Sequence, residues 1–152
     1  MKVCIGGTFD IIHKGHKLLI KKAFELAGEN GIVFIGVTTD NFVKNKQEIK
    51  SFDSRVQMLK NFLEKQGILS KAIIKPINDK FGPTLDKDFE IIVVSPETLK
   101  TAEEINKIRT NKGKKPLKIV KILFVLADDG KPISSTRIRN GEIDSEGHII
   151  AD

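Results

Sequence analysis

Two histidines three residues apart, His13 and His16, are the residues of this 152-residue chain whose type and spacing best suit chemistry. On a helical turn, side chains at that spacing lie on the same face. An imidazole N–H can donate a hydrogen bond to a phosphate oxygen, and the ring titrates near neutral pH. Gly6 and Gly7 follow a short apolar run (residues 3–5), which is typical of a strand and a tight turn. Because the amides at a helix start are unpaired, we expect them to bind phosphate here.

The stretch from Thr8 to His16 reads T-F-D-I-I-H-K-G-H. It resembles the signature of the nucleotidylyltransferase superfamily, which is related to the His-Ile-Gly-His motif of class I aminoacyl-tRNA synthetases. The resemblance implies that His16 stabilises the transition state at the α-phosphoryl group and that His13 contacts the ATP phosphates or orients His16. It also implies a nucleotide-binding loop formed by Gly7, Thr8, Phe9 and Asp10. The Asp10 carboxylate either organises this loop or contacts a ligand or metal indirectly.

A second motif, from Ile133 to Arg139, reads I-S-S-T-R-I-R. One hydroxyl residue is enough to cap a helix, so three in succession before basic residues indicate phosphate binding. The motif is similar to the second signature of the same superfamily. That resemblance implies that the β- and γ-phosphates, and then the leaving pyrophosphate, are held by Ser134, Ser135, Thr136 and Arg139.

Three further motifs lie in the middle of the chain: Asp79 with Gly82-Pro83-Thr84, Ser95-Pro96-Glu97-Thr98, and Asn106 with Arg109. They resemble the archaeal and eukaryotic phosphopantetheine adenylyltransferases, a family that transfers AMP from ATP to 4′-phosphopantetheine in coenzyme A biosynthesis. The resemblance implies nucleotide contacts from Ser95, Glu97, Thr98, Asn106 and Arg109. The alternatives are other superfamily members, namely FMN adenylyltransferases or glycerol-3-phosphate cytidylyltransferases.

The segment from residue 39 to residue 51 is polar and rich in lysine. It follows a predicted strand, at the edge where open α/β sheets bind ligands. The resemblance implies that Lys44 or Lys46 holds the attacking phosphate, and the spacing leaves both candidates open. Arg55, near the start of the next helix, is equally expected to be a ligand or a structural ion-pair partner.

Apolar runs and helical patterns alternate along the chain, which predicts a Rossmann-like α/β fold with helices on both faces of a five-stranded parallel sheet. The predicted strands cover residues 3–5, 32–38, 71–77, 89–94 and 119–126. Helices are expected over residues 15–26, after a cap at Asp53 or Ser54, and from Pro96 to Arg109. The chain is long enough for one domain, and residues 143–152 are expected to form a flexible or docking tail.

The composition limits the other classes of function. A formal charge of +6 and a basic cluster between Lys107 and Lys121 would permit nucleic-acid binding. The chain has no Trp or Tyr to stack on bases, so no nucleic-acid partner is expected and the positive charge is assigned to phosphorylated substrates. A steep salt dependence of oligonucleotide binding that survives His16→Ala would favour this alternative instead.

The sequence also sets expectations about cofactors and location. Mg²⁺ is expected as the counter-ion of ATP, because it prefers phosphates and water to a protein cage, and no protein metal site is predicted. No apolar run reaches bilayer length and no signal peptide opens the chain, so a cytoplasmic protein is expected. The lone cysteine, Cys4, is expected to be buried in the first strand. The oligomeric state is left open.

Overall fold

The computed structural model describes residues 1–43 and 49–150, and its centre is a parallel β-sheet. The strands in the described residues are β1 (Lys2–Gly7), β2 (Ile32–Thr38), β3 (Ala72–Ile77), β4 (Ile91–Val94) and β5 (Lys118–Lys121). They pair in the order β3-β2-β1-β4-β5, all in parallel. The predicted α/β class with five parallel strands is therefore confirmed.

Helices cover both faces of this sheet. The described α-helices are α1 (Lys14–Ala27), α2 (Phe52–Lys65), α3 (Leu99–Asn111) and α4 (Ser135–Arg139). On one face, Ile20 of α1 and Leu59 of α2 are buried in a core with Val33. On the other face, Ile105 of α3 is buried with Ile92. Because β1 and β4 are covered on both sides, their sequences are apolar runs rather than alternating patterns. No described helix is both long and apolar enough to cross a bilayer.

The strand order places a crevice above the middle of the sheet. From β1 the chain builds outward to β2 and β3, then returns to place β4 on the other side of β1. In open α/β sheets, ligands bind at the carboxyl ends of the strands where this reversal occurs. Here that point lies between Gly7, which ends β1, and Ser95, which follows β4.

Several predicted boundaries were wrong, such as the start of β4 at Ile91 rather than Phe89, and three of the differences have a local reason. β5 stops at Lys121 rather than Leu126, since Ile122 donates to the carbonyl of Val94 (2.8 Å) and β4 then offers no further partner. α3 begins at Leu99 rather than at Pro96, because residues 95–98 form a turn of their own. The cap of α2 is Ser51, whose hydroxyl accepts from the amide of Ser54 (3.2 Å), rather than Asp53 or Ser54.

Residues 143–150 are docked against the rest of the protein. Ile143 is fully buried and pairs with Ile149 in an antiparallel bridge. The carbonyl of Ser145 accepts a hydrogen bond from the amide of Lys14 (3.0 Å), and Glu146 forms an ion pair with Lys17 (3.0 Å). This segment therefore ties the first turn of α1 to the region that carries α4.

Candidate nucleotide-binding site

A cleft of about 440 Å³ lies at the crevice between β1 and β4. Its lining brings together two motifs that are more than a hundred residues apart in sequence. The predicted site residues that line it are Gly7, Thr8, Phe9, Asp10, His13, His16, Ser95, Glu97, Thr98, Ser134, Ser135, Thr136 and Arg139. The fold therefore assembles these thirteen residues in one place.

The loop after β1 is shaped by Phe9. Its backbone has a φ of +52°, in the left-handed region that non-glycine residues rarely adopt. The ring of Phe9 is almost fully buried and lies 5.1 Å from the ring of His16, centroid to centroid. Among the residues that the structure describes, none accepts a hydrogen bond from the backbone amides of Phe9 and Asp10. Such strained loops occur at ligand sites, and these two amides are available to an anion.

His13 and His16 form a reciprocal cap at the start of α1. The Nδ1 atom of His13 accepts from the amides of Gly15 (3.0 Å) and His16 (3.4 Å), and the His13 amide donates to Nδ1 of His16 (3.3 Å). The two rings stack with centroids 3.8 Å apart. Because both Nδ1 atoms act as acceptors, each neutral ring carries its proton on Nε2. Each histidine therefore offers one N–H donor to a ligand.

The expectation that the amides of α1 bind phosphate was wrong. The amide of Lys14 donates to the carbonyl of Ser145, and those of Gly15 and His16 donate to His13. These bonds occupy the donors of the first turn, which leaves the imidazoles themselves and the loop amides of Phe9 and Asp10 as the anion-binding groups.

Burial keeps both histidines neutral at neutral pH. It lowers the pKa of His13 from 6.5 to about 4. The pKa of His16 is lowered to about 3 by burial and by the adjacent His13, against the opposing influences of the nearby Ile11 backbone carbonyl and the charge of Asp10. Both rings therefore act near pH 7 as neutral hydrogen-bond donors rather than as cations.

Acidification is expected to destabilise the protein through these two rings. In the unfolded chain they gain protons below about pH 6.5, whereas the folded state resists protonation until about pH 4, so stability falls as the pH drops through this window. From pH 6.5 to 5 the loss is about 2 kcal/mol per histidine. Urea unfolding at pH 7, 6 and 5 measures it.

A matched pair of variants isolates this effect. His13→Asn keeps a capping acceptor without a titrating ring, so it should remove about half of the pH dependence. His148→Gln changes an exposed histidine and should leave the dependence unchanged. Equal slopes in wild type and His13→Asn would contradict the assignment.

Asp10 connects the two motifs. Its carboxylate is buried and accepts from the amide of Lys50 (2.8 Å) and from the guanidinium of Arg139. Arg139 also donates to the hydroxyl of Thr136 (3.2 Å). The Asp10 side chain thus organises the loop, one of its two predicted roles, and does so by linking it to α4 and to the chain before α2.

Arg55 is the structural centre beneath the loop. Its side chain is fully buried, and its guanidinium donates to the carbonyls of Lys50 (2.8 Å) and Thr8 (2.8 Å). It also contacts the hydroxyl of Thr38 (3.3 Å) and the carboxylate of Asp40 (3.2 Å). Of the two roles left open by the sequence, these contacts are those of a structural residue. Thr38 donates to the hydroxyl of Thr8 (3.1 Å) and was not among the predicted site residues. Its position as a polar residue at the end of a buried strand could have indicated a role at the site.

The hydroxyl motif is built into the start of α4. Ser134 caps the helix by accepting from the amide of Arg137 (3.2 Å), and Ser135 donates to the carbonyl of Ile11 (3.4 Å). Arg137 pairs with Asp129 and therefore braces the helix from outside the cleft. The Ser134 hydroxyl is thus used as a helix cap, while Thr136 is exposed at the cleft.

Two predicted nucleotide contacts lie outside the cleft. Asn106 exchanges two hydrogen bonds with the backbone of Leu117 (2.7 and 2.8 Å). Arg109 is buried and donates to the carbonyls of Lys115, Thr84 and Lys87 (2.8, 2.8 and 2.9 Å). These bonds use the side chains to hold loops against α3, so the structure does not bring them together with the other site residues.

Arg109→Met is expected to destabilise the fold without affecting nucleotide binding. It leaves the buried carbonyl of Thr84 and the partly buried carbonyls of Lys87 and Lys115 without this donor, which costs about 3 kcal/mol in the free energy of unfolding. The KM for ATP should stay within about twofold of wild type at a temperature where the variant is folded. Lys107→Met, an exposed change on the same helix, is the control for both measurements. A tenfold rise in the KM for ATP would instead make Arg109 a ligand.

Other parts of the cleft were not predicted or lie beyond description. Lys44 and Lys46, the predicted holders of the acceptor phosphate, are outside the described residues.

Residues 122–125, which the sequence predicts as strand, form an apolar wall of the cleft. In this wall Leu123 is 73% exposed and Phe124 is 41% exposed. Apolar residues that leave a sheet edge and stay exposed favour a ligand-contacting role, but the sequence alone does not separate them from a strand.

A second, narrower cavity of about 200 Å³ adjoins the cleft and is called the apolar pocket below. It lies between the sheet, α3 and the loop after β3, and shares Gly6, Gly7 and Thr98 with the cleft. Apolar side chains such as Ile77, Phe81 and Ile105 form most of its lining. The site therefore combines a cleft that carries the polar residues of the two motifs with a smaller apolar cavity.

Comparison with known proteins agrees with this geometry. Residues 4–141 match the model of the cytidylyltransferase-like family. The chain is 48% identical to a phosphopantetheine adenylyltransferase of Methanosarcina mazei over 149 residues, which are 97% of this chain and 96% of that protein. It is 44% identical to one of Archaeoglobus fulgidus over 151 residues, 99% and 100% of the two chains. A crystal structure from Archaeoglobus fulgidus, described as a protein with unknown function, superposes with a TM-score of 0.73 at 40% identity, covering 80% of this chain and 89% of that one.

These matches extend over nearly the whole chain and include both motifs of the cleft. The protein is therefore an enzyme of the cytidylyltransferase-like nucleotidyltransferase class. Within that class, it belongs to the phosphopantetheine adenylyltransferases.

Proposed function

We propose that this enzyme transfers AMP from ATP to 4′-phosphopantetheine, giving dephospho-coenzyme A and pyrophosphate. The observation that carries the proposal is the junction of the two signature motifs, tied by Asp10 and Arg139, beside the apolar pocket. The cleft supplies groups suited to phosphates, and the pocket suits the thin, flexible arm of the acceptor. Family membership supports the same pair of substrates.

The proposed reaction joins two anions without a covalent intermediate. An oxygen of the acceptor phosphate attacks the α-phosphorus of ATP, the bond to the β-phosphate oxygen breaks, and pyrophosphate leaves. Negative charge grows on the α-phosphoryl oxygens, so fixed hydrogen-bond donors lower the barrier. In this proposal the neutral His16 donates its Nε2–H to those oxygens, while His13 fixes the orientation of His16 through the reciprocal cap.

The other groups are assigned by their place in the cleft. Ser135, Thr136 and Arg139 bind the β- and γ-phosphates, while Ser134 shapes the start of α4. Thr8, supported from below by Arg55 and Thr38, contacts the acceptor phosphate. The turn after β4 places Ser95, Glu97 and Thr98 in the lining of the cleft, and Thr98 also lines the apolar pocket. This position suits contacts to the nucleoside. Lys44 and Lys46 stay predictions.

Mg²⁺ is proposed to enter with ATP. Among the described residues, no group of three or more metal-binding side chains lies together, and the Asp10 carboxylate already accepts from Lys50 and Arg139. This donor set fits an ion held mainly by phosphate oxygens and water. The bound ion would neutralise charge on the triphosphate.

A cytoplasmic location also stays a prediction.

A panel of acceptors tests the proposed function. Pyrophosphate release is measured with ATP and Mg²⁺ in the presence of 4′-phosphopantetheine, FMN, nicotinamide mononucleotide or glycerol 3-phosphate. We expect 4′-phosphopantetheine to give the highest kcat/KM, because the apolar pocket of about 200 Å³ accepts an extended chain more readily than a fused ring system. A preference for FMN would overturn the proposal, and replacing ATP by CTP identifies a cytidylyltransferase.

A further inference from the structure

A third cavity lies on the same face of the sheet, beyond the apolar pocket. It is an open groove of about 650 Å³ along β2 and β3. α3 packs over β4 and β5 on this face, and among the described residues no α-helix packs closely over β2 and β3 there. Strand register sets Phe34 beside Ile73 in the floor of the groove. Ile32 and Ile73 are 40% and 41% exposed, so the floor is an apolar surface open to ligand.

The three cavities form a series. The cleft and the apolar pocket share Gly6, Gly7 and Thr98. The apolar pocket and the groove share Phe34, Ile77 and Pro83. From Thr38 at the top of β2 to Ile32 at its start, six residues of strand span about 20 Å, at roughly 3.3 Å per residue. The three cavities therefore lie in line for a linear molecule that is anchored by its phosphate in the cleft.

The wall between pocket and groove is made of side chains. Ile77 fits between two glycines: a Cβ at Gly36 would lie 2.9 Å from its Cγ2 atom, and a Cβ at Gly82 would lie 2.8 Å from the same atom. Gly82 also has a φ of +55°, which favours glycine. On the groove side, the rings of Phe34 and Phe89 lie 5.3 Å apart. Rotation of a few side chains, without movement of the sheet, would join the two cavities.

We propose that the groove is a binding subsite for an apolar substituent on the far end of the acceptor, so that the enzyme also adenylylates S-acylated or S-alkylated 4′-phosphopantetheine. This inference rests on the proposed function. The reaction at the phosphate is the same: the acceptor oxygen bonds to the α-phosphorus and pyrophosphate leaves, while the sulfur substituent takes no part. Its chain lies on Ile32, Phe34 and Ile73, and the lysines at the groove edge cover it with their methylene stems.

Kinetics with S-hexyl-4′-phosphopantetheine, a thioether that cannot hydrolyse, tests the subsite. We expect wild type to use it with a kcat close to that for the free thiol. Ile73→Glu places a charge on the groove floor and should raise the KM for the S-hexyl acceptor at least about tenfold, since two buried methylenes account for that factor. The KM for the unsubstituted acceptor should be unchanged. Met58→Glu, a change of equal chemistry at a 38% exposed residue on α2, is the control for both acceptors.

Each other outcome overturns the inference. Turnover of the thiol acceptor without turnover of the S-hexyl form shows that the groove does not take a substituent. An equal effect of Ile73→Glu on both acceptors shows a general defect. A change in molecular mass by sedimentation on Ile73→Glu, with unchanged kinetics, shows that the groove is an interface between copies of the chain. Failure of the thiol acceptor itself, while another acceptor of the panel reacts, sinks the proposed function as well, so the two failures are distinguishable.

Discussion

Replacing His16 with alanine is expected to lower kcat at least about a hundredfold, with little change in the affinity for ATP. The ring lines the cleft, and its Nδ1 atom is held by the His13 amide (3.3 Å), so the remaining Nε2–H is a positioned donor. The proposed function uses that donor where charge grows on the α-phosphoryl oxygens, and not in the ground state. Single-turnover rates, together with ATP binding measured by calorimetry, separate the two effects.

A matched variant guards against a merely structural result. His148→Ala also removes an imidazole, but from an exposed position where it pairs with Asp128, so it should keep wild-type kcat. The pKa of His16 lies near 3, so His16 should not titrate near pH 6.5. The pH profiles of kcat for wild type and His16→Ala should therefore have the same shape in this range. A loss of ATP affinity that matches the loss of kcat/KM would make His16 a binding residue instead.

Replacing Arg55 with methionine is expected to lower the free energy of unfolding by about 3–5 kcal/mol, the largest stability effect predicted for this chain. The side chain has no exposed surface and donates to the carbonyls of Thr8 and Lys50. Methionine fills much of the volume but leaves both carbonyls unpaired, and the unpaired polar groups carry the cost. Urea or guanidinium unfolding followed by circular dichroism measures it.

Two further variants define the role of Arg55. Lys60→Met removes an exposed charge from the same helix and should change stability by less than about 0.5 kcal/mol. Arg55→Lys should recover only part of the loss, because a single ammonium group cannot reproduce the spread of the guanidinium donors. Near-wild-type stability of Arg55→Met combined with a large fall in kcat would mean that Arg55 acts on substrate rather than on the loop.

Local signals in the sequence located most of the cleft. The glycines before Thr8, the paired histidines and the three hydroxyls from Ser134 are short motifs whose residue types are rare in that combination. Each lies at the end of a strand or the start of a helix, where backbone geometry and hydrogen bonding are determined within a few residues. Element order and the parallel sheet were predicted for the same reason, since apolar periodicity is local.

The wrong predictions concern groups whose hydrogen-bond partners lie far away in the sequence. The amides in the first turn of α1 were predicted to be free for phosphate. The amide of Lys14 instead donates to the carbonyl of Ser145, which is more than a hundred residues away in sequence. Arg109 resembled a ligand in its motif, but the loop carbonyls of Thr84 and Lys87 use its donors. An isolated motif contains no information about which groups the rest of the chain will place against it.

The sequence by itself determined the class of fold, the two phosphate-binding motifs and the reaction they suit, because each depends on residues within one turn or one strand of one another. Only the tertiary structure decided how those motifs are joined. The Asp10–Arg139 pair, the buried Arg55 and the docked segment from Ile143 onward depend on contacts between distant parts of the chain. The same is true of the apolar pocket and groove, since a cavity exists only where several elements fail to meet.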